Sequence, residues 1–175
     1  MTFAELSGYL DRLESTSSRN ELVKTLAELY TKSSPDEIQP LTYLIQGRLV
    51  PFFEPVEIGL GEKLVIAAIA QAYATPPDAV AKLFGRIGDL GLVAASLAGK
   101  ESSSTLPVSD VHTRLMEIAG AAGSGSVEKK RSLFAALLKQ VDPASAKHLV
   151  RMALGRLRLG IGDPTVLDAL SFAKK

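Results

Sequence analysis

Gly155-Arg156-Leu157-Arg158-Leu159-Gly160-Ile161-Gly162-Asp163 is a short break between two stretches of helical spacing, and its reading decides the fold. Two guanidinium groups sit two residues apart between glycines. Asp163-Pro164-Thr165 then starts a helix, with Asp163 predicted to cap and Pro164 at the first helical position. Such a segment can offer an anion both a helix N-terminus and bidentate donors. Two readings stand at this point: a phosphate-binding loop, or an ordinary helix-to-helix turn with solvated arginines.

Outward from this stretch the chain repeats one pattern, apolar residues at spacings of three and four between caps, prolines and glycines. Thr2 and Glu5 form a capping box, followed by Phe3, Leu6, Tyr9, Leu10 and Leu13 on a helix ending near Ser15. Ser18 and Glu21 are predicted to form a second box, before the stripe Leu22, Leu26, Leu29 and Tyr30. Ser34-Pro35 opens a third helix, in which Pro40 is expected either to fall in the first turn or to break it; Gly47-Arg48-Leu49 closes it. Residues 50 to 61 read as irregular, with Pro51 and Pro55 bracketing Phe52 and Phe53. Further helices are predicted from about Glu62 to Ala74, after Thr75-Pro76-Pro77-Asp78, and over about Asp110 to Ala122, Val127 to Gln140 and Pro143 to Leu154. Gly99 to Thr105 reads as a linker. No period-two strand is evident, so the class is all-α.

Shifted by 108 residues, Pro35 falls on Pro143, and Gly47-Arg48-Leu49 falls on Gly155-Arg156-Leu157. At a shift of 101, Gly59, Gly61 and Glu62 fall on Gly160, Gly162 and Asp163. The register predicts a duplication: one helical domain over residues 1–175 built of two pseudo-symmetric halves, about 1–100 and about 107–175, joined by a loop at about 99–106. The second copy is expected to be cut short at Lys175, where its counterpart continues through another helix pair.

The 175 residues hold no cysteine, which excludes disulfides and thiolate metal sites. The longest uninterrupted apolar run, Leu64 to Ala70, is far short of the roughly 20 residues a bilayer span needs. Glu5, Asp11 and Arg12 interrupt any signal-peptide pattern, so a cytoplasmic protein without a membrane partner is expected. The net charge of +1 hides an asymmetry: residues 1–125 sum to −5 and residues 126–160 to +6. A local basic surface on an otherwise acidic domain suits a nucleic-acid footprint, or a run of solvated helix faces.

Gly123-Ser124-Gly125-Ser126 precedes Lys129-Lys130-Arg131, where Ser126 is predicted to cap the helix and the lysines oppose its dipole, which is costly unless an anion is expected there. Gly99-Lys100 lacks the loop glycine and hydroxyl of a phosphate-binding P-loop. His112 and His148 have no spaced cysteine or carboxylate partner in the sequence and read as surface or packing residues. No acid pair, activated serine or thiol stands out.

With Gly123 to Ser126, the Lys129-Lys130 pair, Arg151, the Gly155 to Gly162 stretch and Gly88-Asp89-Leu90-Gly91-Leu92-Val93-Ala94 together, the whole chain resembles the N-terminal DNA-binding domain of ATP-dependent DNA ligases, most closely the archaeal type. The resemblance implies an all-helical domain that grips nicked duplex DNA across the minor groove through the phosphate backbone. It implies partner adenylation and OB-fold domains in the same ligase, which would hold ATP and Mg, and no cofactor in this chain. It places Gly155, Arg156, Arg158 and Gly160 at the DNA backbone, with Gly125, Ser126 and Lys129 as a second contact; Lys130, Arg151 and Arg48 complete the basic set. A monomer serving DNA replication and repair at a prokaryotic nucleoid is implied. The family's nucleotidyl-acceptor motif, Lys-x-Asp-Gly, is absent, because no lysine here has Asp two positions later. The expectation is a non-catalytic, sequence-independent module; a helical protein-interaction module with a basic face for an acidic partner is the alternative.

Overall fold

The computed structural model describes residues 1–99, 104–157 and 159–173, and over these the chain is all-α, without a strand. Ten helices follow in order: α1 Phe3–Glu14, α2 Arg19–Lys32, α3 Pro35–Ile45, α4 Glu62–Ala72, α5 Pro77–Ile87, α6 Leu90–Leu97, α7 Val108–Gly120, α8 Ser126–Leu138, α9 Pro143–Ala153 and α10 Asp163–Ala173. Proline is the first residue of α3, α5 and α9, where its fixed φ suits the helix and its missing N–H costs nothing. The Thr2–Glu5 capping box forms as expected. No single helix among the described residues is long and apolar enough to cross a membrane; α4 and α5 turn through 118° at their junction, where Ala74 takes a positive φ.

The helices interleave along the chain. α10 packs on α2 and α4 on α8, while α1 packs on α9 and α3 on α7. α6 lies on α9, so tightly that a Cβ at Gly91 would stand 2.7 Å from the Lys147 carbonyl oxygen. One core results, with Phe3, Leu6, Leu10, Leu26, Phe134 and Leu149 fully buried within it. The N-terminal segment is tied to the start of α7: Phe3 N–H donates to the Leu106 carbonyl at 2.8 Å, and Val108 N–H to that of Met1 at 3.1 Å.

Several local expectations are corrected. Ser18 precedes α2 but its side chain caps nothing. Ser126 is the first residue of α8 rather than its cap, which is Gly125 at φ +76. Asp163 is likewise inside α10: the Gly162 carbonyl accepts the first helical bonds, from Thr165 and Val166. Its carboxylate instead accepts from Gln46 at 2.8 Å and pairs with Arg48 at 3.5 Å, a long-range use that wins over a local one. Pro40 neither sits in the first turn of α3 nor ends it, because packing of Leu41, Leu44 and Ile45 carries the helix past the missing donor. Residues 100–103 of the predicted linker, and Arg158, lie outside the described residues.

Candidate nucleic-acid interface

α3 and α9 end in the same way. Gly47 N–H donates to the Leu44 carbonyl at 2.9 Å and Arg48 N–H to that of Tyr43 at 2.9 Å; Gly155 N–H donates to Met152 at 3.0 Å and Arg156 N–H to Arg151 at 2.7 Å. Each is a Schellman closure, which requires the left-handed φ that both glycines adopt, +69 at Gly47 and +64 at Gly155. The amides of Gly155 and Arg156 are therefore used within the chain, and the contribution of Gly155 is the turn that aims Arg156.

The two loops meet. A Cβ at Gly47 would lie 3.3 Å from the Leu157 carbonyl oxygen, and Leu49 and Leu157 are both buried beneath them. Arg156 crosses to Glu62, at the start of α4, at 2.6 Å. Arg48 makes the corresponding crossing to Asp163 at the start of α10 and also stands 6.0 Å from the Phe52 ring centre. Between the loops lies a cavity of about 590 Å³, lined in part by Arg48, Phe52, Ile58, Gly59 and Gly155.

Lys130 joins this face from α8, with its ammonium 3.4 Å from where a Gly59 Cβ would be. Lys129 is exposed, as is Gly125 at the head of α8, and Ser126 is half-buried. No side chain caps α8; the Ser126 N–H, first in the helix, donates to the Gly123 carbonyl at 3.2 Å. Arg131 is turned elsewhere, into a hollow with Ala67, Gln71 and Thr75. Gly160 is exposed at φ +67. The fold thus brings Arg48, Arg156, Lys130 and Gly59, which are far apart in sequence, around one pair of loops.

Arg151 has another use. Its side chain is 14% exposed, and its guanidinium binds Asp89 through Nε at 3.1 Å and Nη2 at 2.8 Å, and Glu14 through Nη1 at 2.6 Å. Asp89 also caps α6 by accepting from Leu92 N–H. Lys147 pairs with Asp11 at 2.6 Å and Glu14 at 3.1 Å. Part of the basic excess of residues 126–160 is therefore neutralised inside the fold, fastening α9 to α1 and α6.

His148 belongs to this network and is correspondingly not a surface residue. It is fully buried, its Nε2 is 2.8 Å from Asp11, and its Nδ1 has no partner. Burial pushes its pKa below the ordinary value, opposed only in part by Asp11. Burial would raise the carboxyls of Asp11, Glu14 and Asp89, but hydrogen bonds from Lys147, His148 and Arg151 outweigh it and hold all three low. Asp11, Glu14 and His148 offer donor atoms within 4.8 Å of one another, yet Lys147 and Arg151 already occupy the carboxylates, so the cluster is an ion-pair network. Its partners lie 137 residues apart in sequence, beyond any spacing rule. His112 contacts the Leu49 carbonyl at 2.7 Å, fixing α7 to the first loop.

The family described as DNA ligase N terminus matches residues 2–171. A probable DNA ligase of Dictyoglomus turgidum is 41% identical over 174 residues, covering 99% of this chain and 30% of that protein. A DNA ligase of Saccharolobus solfataricus is 43% identical over 186 residues, with 99% and 31% covered. The chain spans less than a third of the length of these relatives. Matched along nearly all of its own length at this level of identity, the chain belongs to the DNA ligase N terminus family.

Proposed function

We propose that this chain is a non-catalytic module that holds nicked double-stranded DNA by its phosphate backbone, across the minor groove, for an ATP-dependent ligase acting in replication and repair. The observation that carries the reading is the convergence of Arg48, Arg156 and Lys130 on the paired loops, next to the uncapped start of α8 with Gly125, Ser126 and Lys129. Guanidinium and ammonium groups gathered on one surface position a backbone without reading bases. Gly160, on the second loop, belongs to the same surface in this reading, and Arg158 is proposed as a further backbone contact. Arg151 acts behind it as a positioning residue through Glu14 and Asp89.

Adenylation and OB-fold domains of the same ligase are the partners, and ATP and Mg belong to them, since this chain has no Lys-x-Asp-Gly. We further read the module as a monomer built from a duplicated unit. In support, α3 and α9 match at the 108-residue shift, α4 and α10 match at 101, and Arg48–Asp163 mirrors Arg156–Glu62. A prokaryotic nucleoid is the proposed setting.

A salt titration of duplex-DNA binding tests the reading. If three to five phosphates are neutralised, log K falls against log salt with a slope of roughly −3 to −4.5. Binding that ignores salt, or is confined to one sequence, would overturn it.

A further inference from the structure

We propose that Phe52 and Phe53 form an apolar wedge that packs against exposed base or sugar faces where duplex DNA is interrupted; the proposal rests on the DNA-binding reading above. The two rings are 74% and 71% exposed, the most exposed large apolar side chains among the described residues. They are the central residues of a turn closed by Glu54 N–H donating to the Pro51 carbonyl at 3.0 Å, so both stand at its tip. Pro51 and Pro55 stiffen the loop on either side, which lowers the entropy lost on docking. The rings already pack edge to face, 5.5 Å between centres, and Arg48 approaches Phe52 from the side of the paired loops. An exposed aromatic pair held this way marks a contact surface.

Charge selects the occupant. Arg48 stands against the Phe52 ring and Lys130 against Gly59, while Glu54 and Glu57, exposed on the same loop, lie between Phe52 and Gly59 in sequence. Phosphates would be drawn to Arg48 and Lys130, and Glu54, next to Phe53 in sequence, would keep them off the aromatic pair itself. The tip therefore points at the apolar part of the same polymer, its groove wall and base faces. Insertion of an apolar side chain costs least where stacking is already broken, as at a nick.

The test uses this chain and duplexes carrying 2-aminopurine beside a central nick, or at the same site in intact DNA. The chain should raise the fluorescence of the nicked duplex and bind it more tightly than the intact one. Phe52→Ala with Phe53→Ala should abolish the rise and weaken nicked-duplex binding about fivefold or more, leaving the salt slope unchanged. Phe52→Leu with Phe53→Leu should restore part of the affinity, and circular dichroism should show both variants folded, since neither ring is buried. A double-alanine variant that binds and unstacks as the native chain does would overturn the wedge and leave the pair to a protein partner. Failure of the native chain to bind DNA would instead sink the reading on which the wedge rests.

Discussion

Arg156 Nη2 lies 2.6 Å from Glu62 Oε1, across 94 residues of sequence, and about half of each side chain remains exposed. An exposed pair of this kind contributes about 0–1 kcal/mol, so a phosphate competes with Glu62 for the arginine on nearly equal terms. Glu62→Gln removes the competitor. DNA affinity at low salt should rise by roughly two- to fivefold, in line with that small pair energy. Unchanged or weaker binding by fluorescence anisotropy would mean that Arg156 does not meet the backbone.

Arg156→Ala combined with Arg158→Ala should weaken binding alike on unrelated sequences and make the salt slope shallower by about 1 for each phosphate that is no longer neutralised. Helical content should be preserved, because the ion pair given up at Arg156 is solvated. Disappearance of the circular dichroism signal would show instead that these arginines hold the fold.

Two glycines should respond in opposite directions to the same change. At Gly91 a Cβ would meet the Lys147 carbonyl oxygen at 2.7 Å and Asp89 Oδ1 at 2.9 Å, so Gly91→Ala must push α6 off α9. The cost should be about 1–3 kcal/mol. Gly85 lies inside α5 with open space around it and an ordinary φ, and Gly85→Ala should gain about 0.5–1 kcal/mol through helix propensity. Urea unfolding of the two variants checks the sign of each.

Stability should fall in acid in two stages. The His148 pKa is depressed in the fold, so below its ordinary value near 6.5 the unfolded chain takes up the proton first and stability begins to drop. The carboxyls of Asp11, Glu14 and Asp89 are also held low, so their contribution is present above their ordinary values near 4 and is lost as pH falls through the folded ones. Thermal melts should be flat above about pH 7 and decline below it. His148→Gln should remove the upper stage and leave the lower; an upper stage that persists would assign it to another group.

The helices were legible because their ends are written locally: proline at the first position of α3, α5 and α9, and glycine after the last turn of α3 and α9. Apolar spacing then supplied the buried faces, as with Leu6, Leu10 and Leu13 of α1. What sequence could not supply was competition between local and distant partners. Asp163 fits a cap, yet Gln46 and Arg48 take its carboxylate; Arg151 fits a DNA contact, yet Asp89 and Glu14 hold it. His148 showed no carboxylate neighbour because Asp11 reaches it only after α1 and α9 have packed. The loop face was half legible: both Gly-Arg-Leu turns were visible, but the approach of Lys130 to Gly59 joins elements that no periodicity connects.

The packing of α4 on α8 and of α10 on α2 also governs how the chain folds as it is made. Residues 62–72 leave the ribosome more than fifty residues before the face that covers them begins at Ser126, and α2 waits still longer for α10. Pairings this distant in sequence close slowly, and until they close the apolar faces of α2 and α4 stay open to solvent and to each other. Nascent chains halted before α8 should therefore be protease-sensitive, and release of the finished helix α10 should set the moment at which the domain becomes compact.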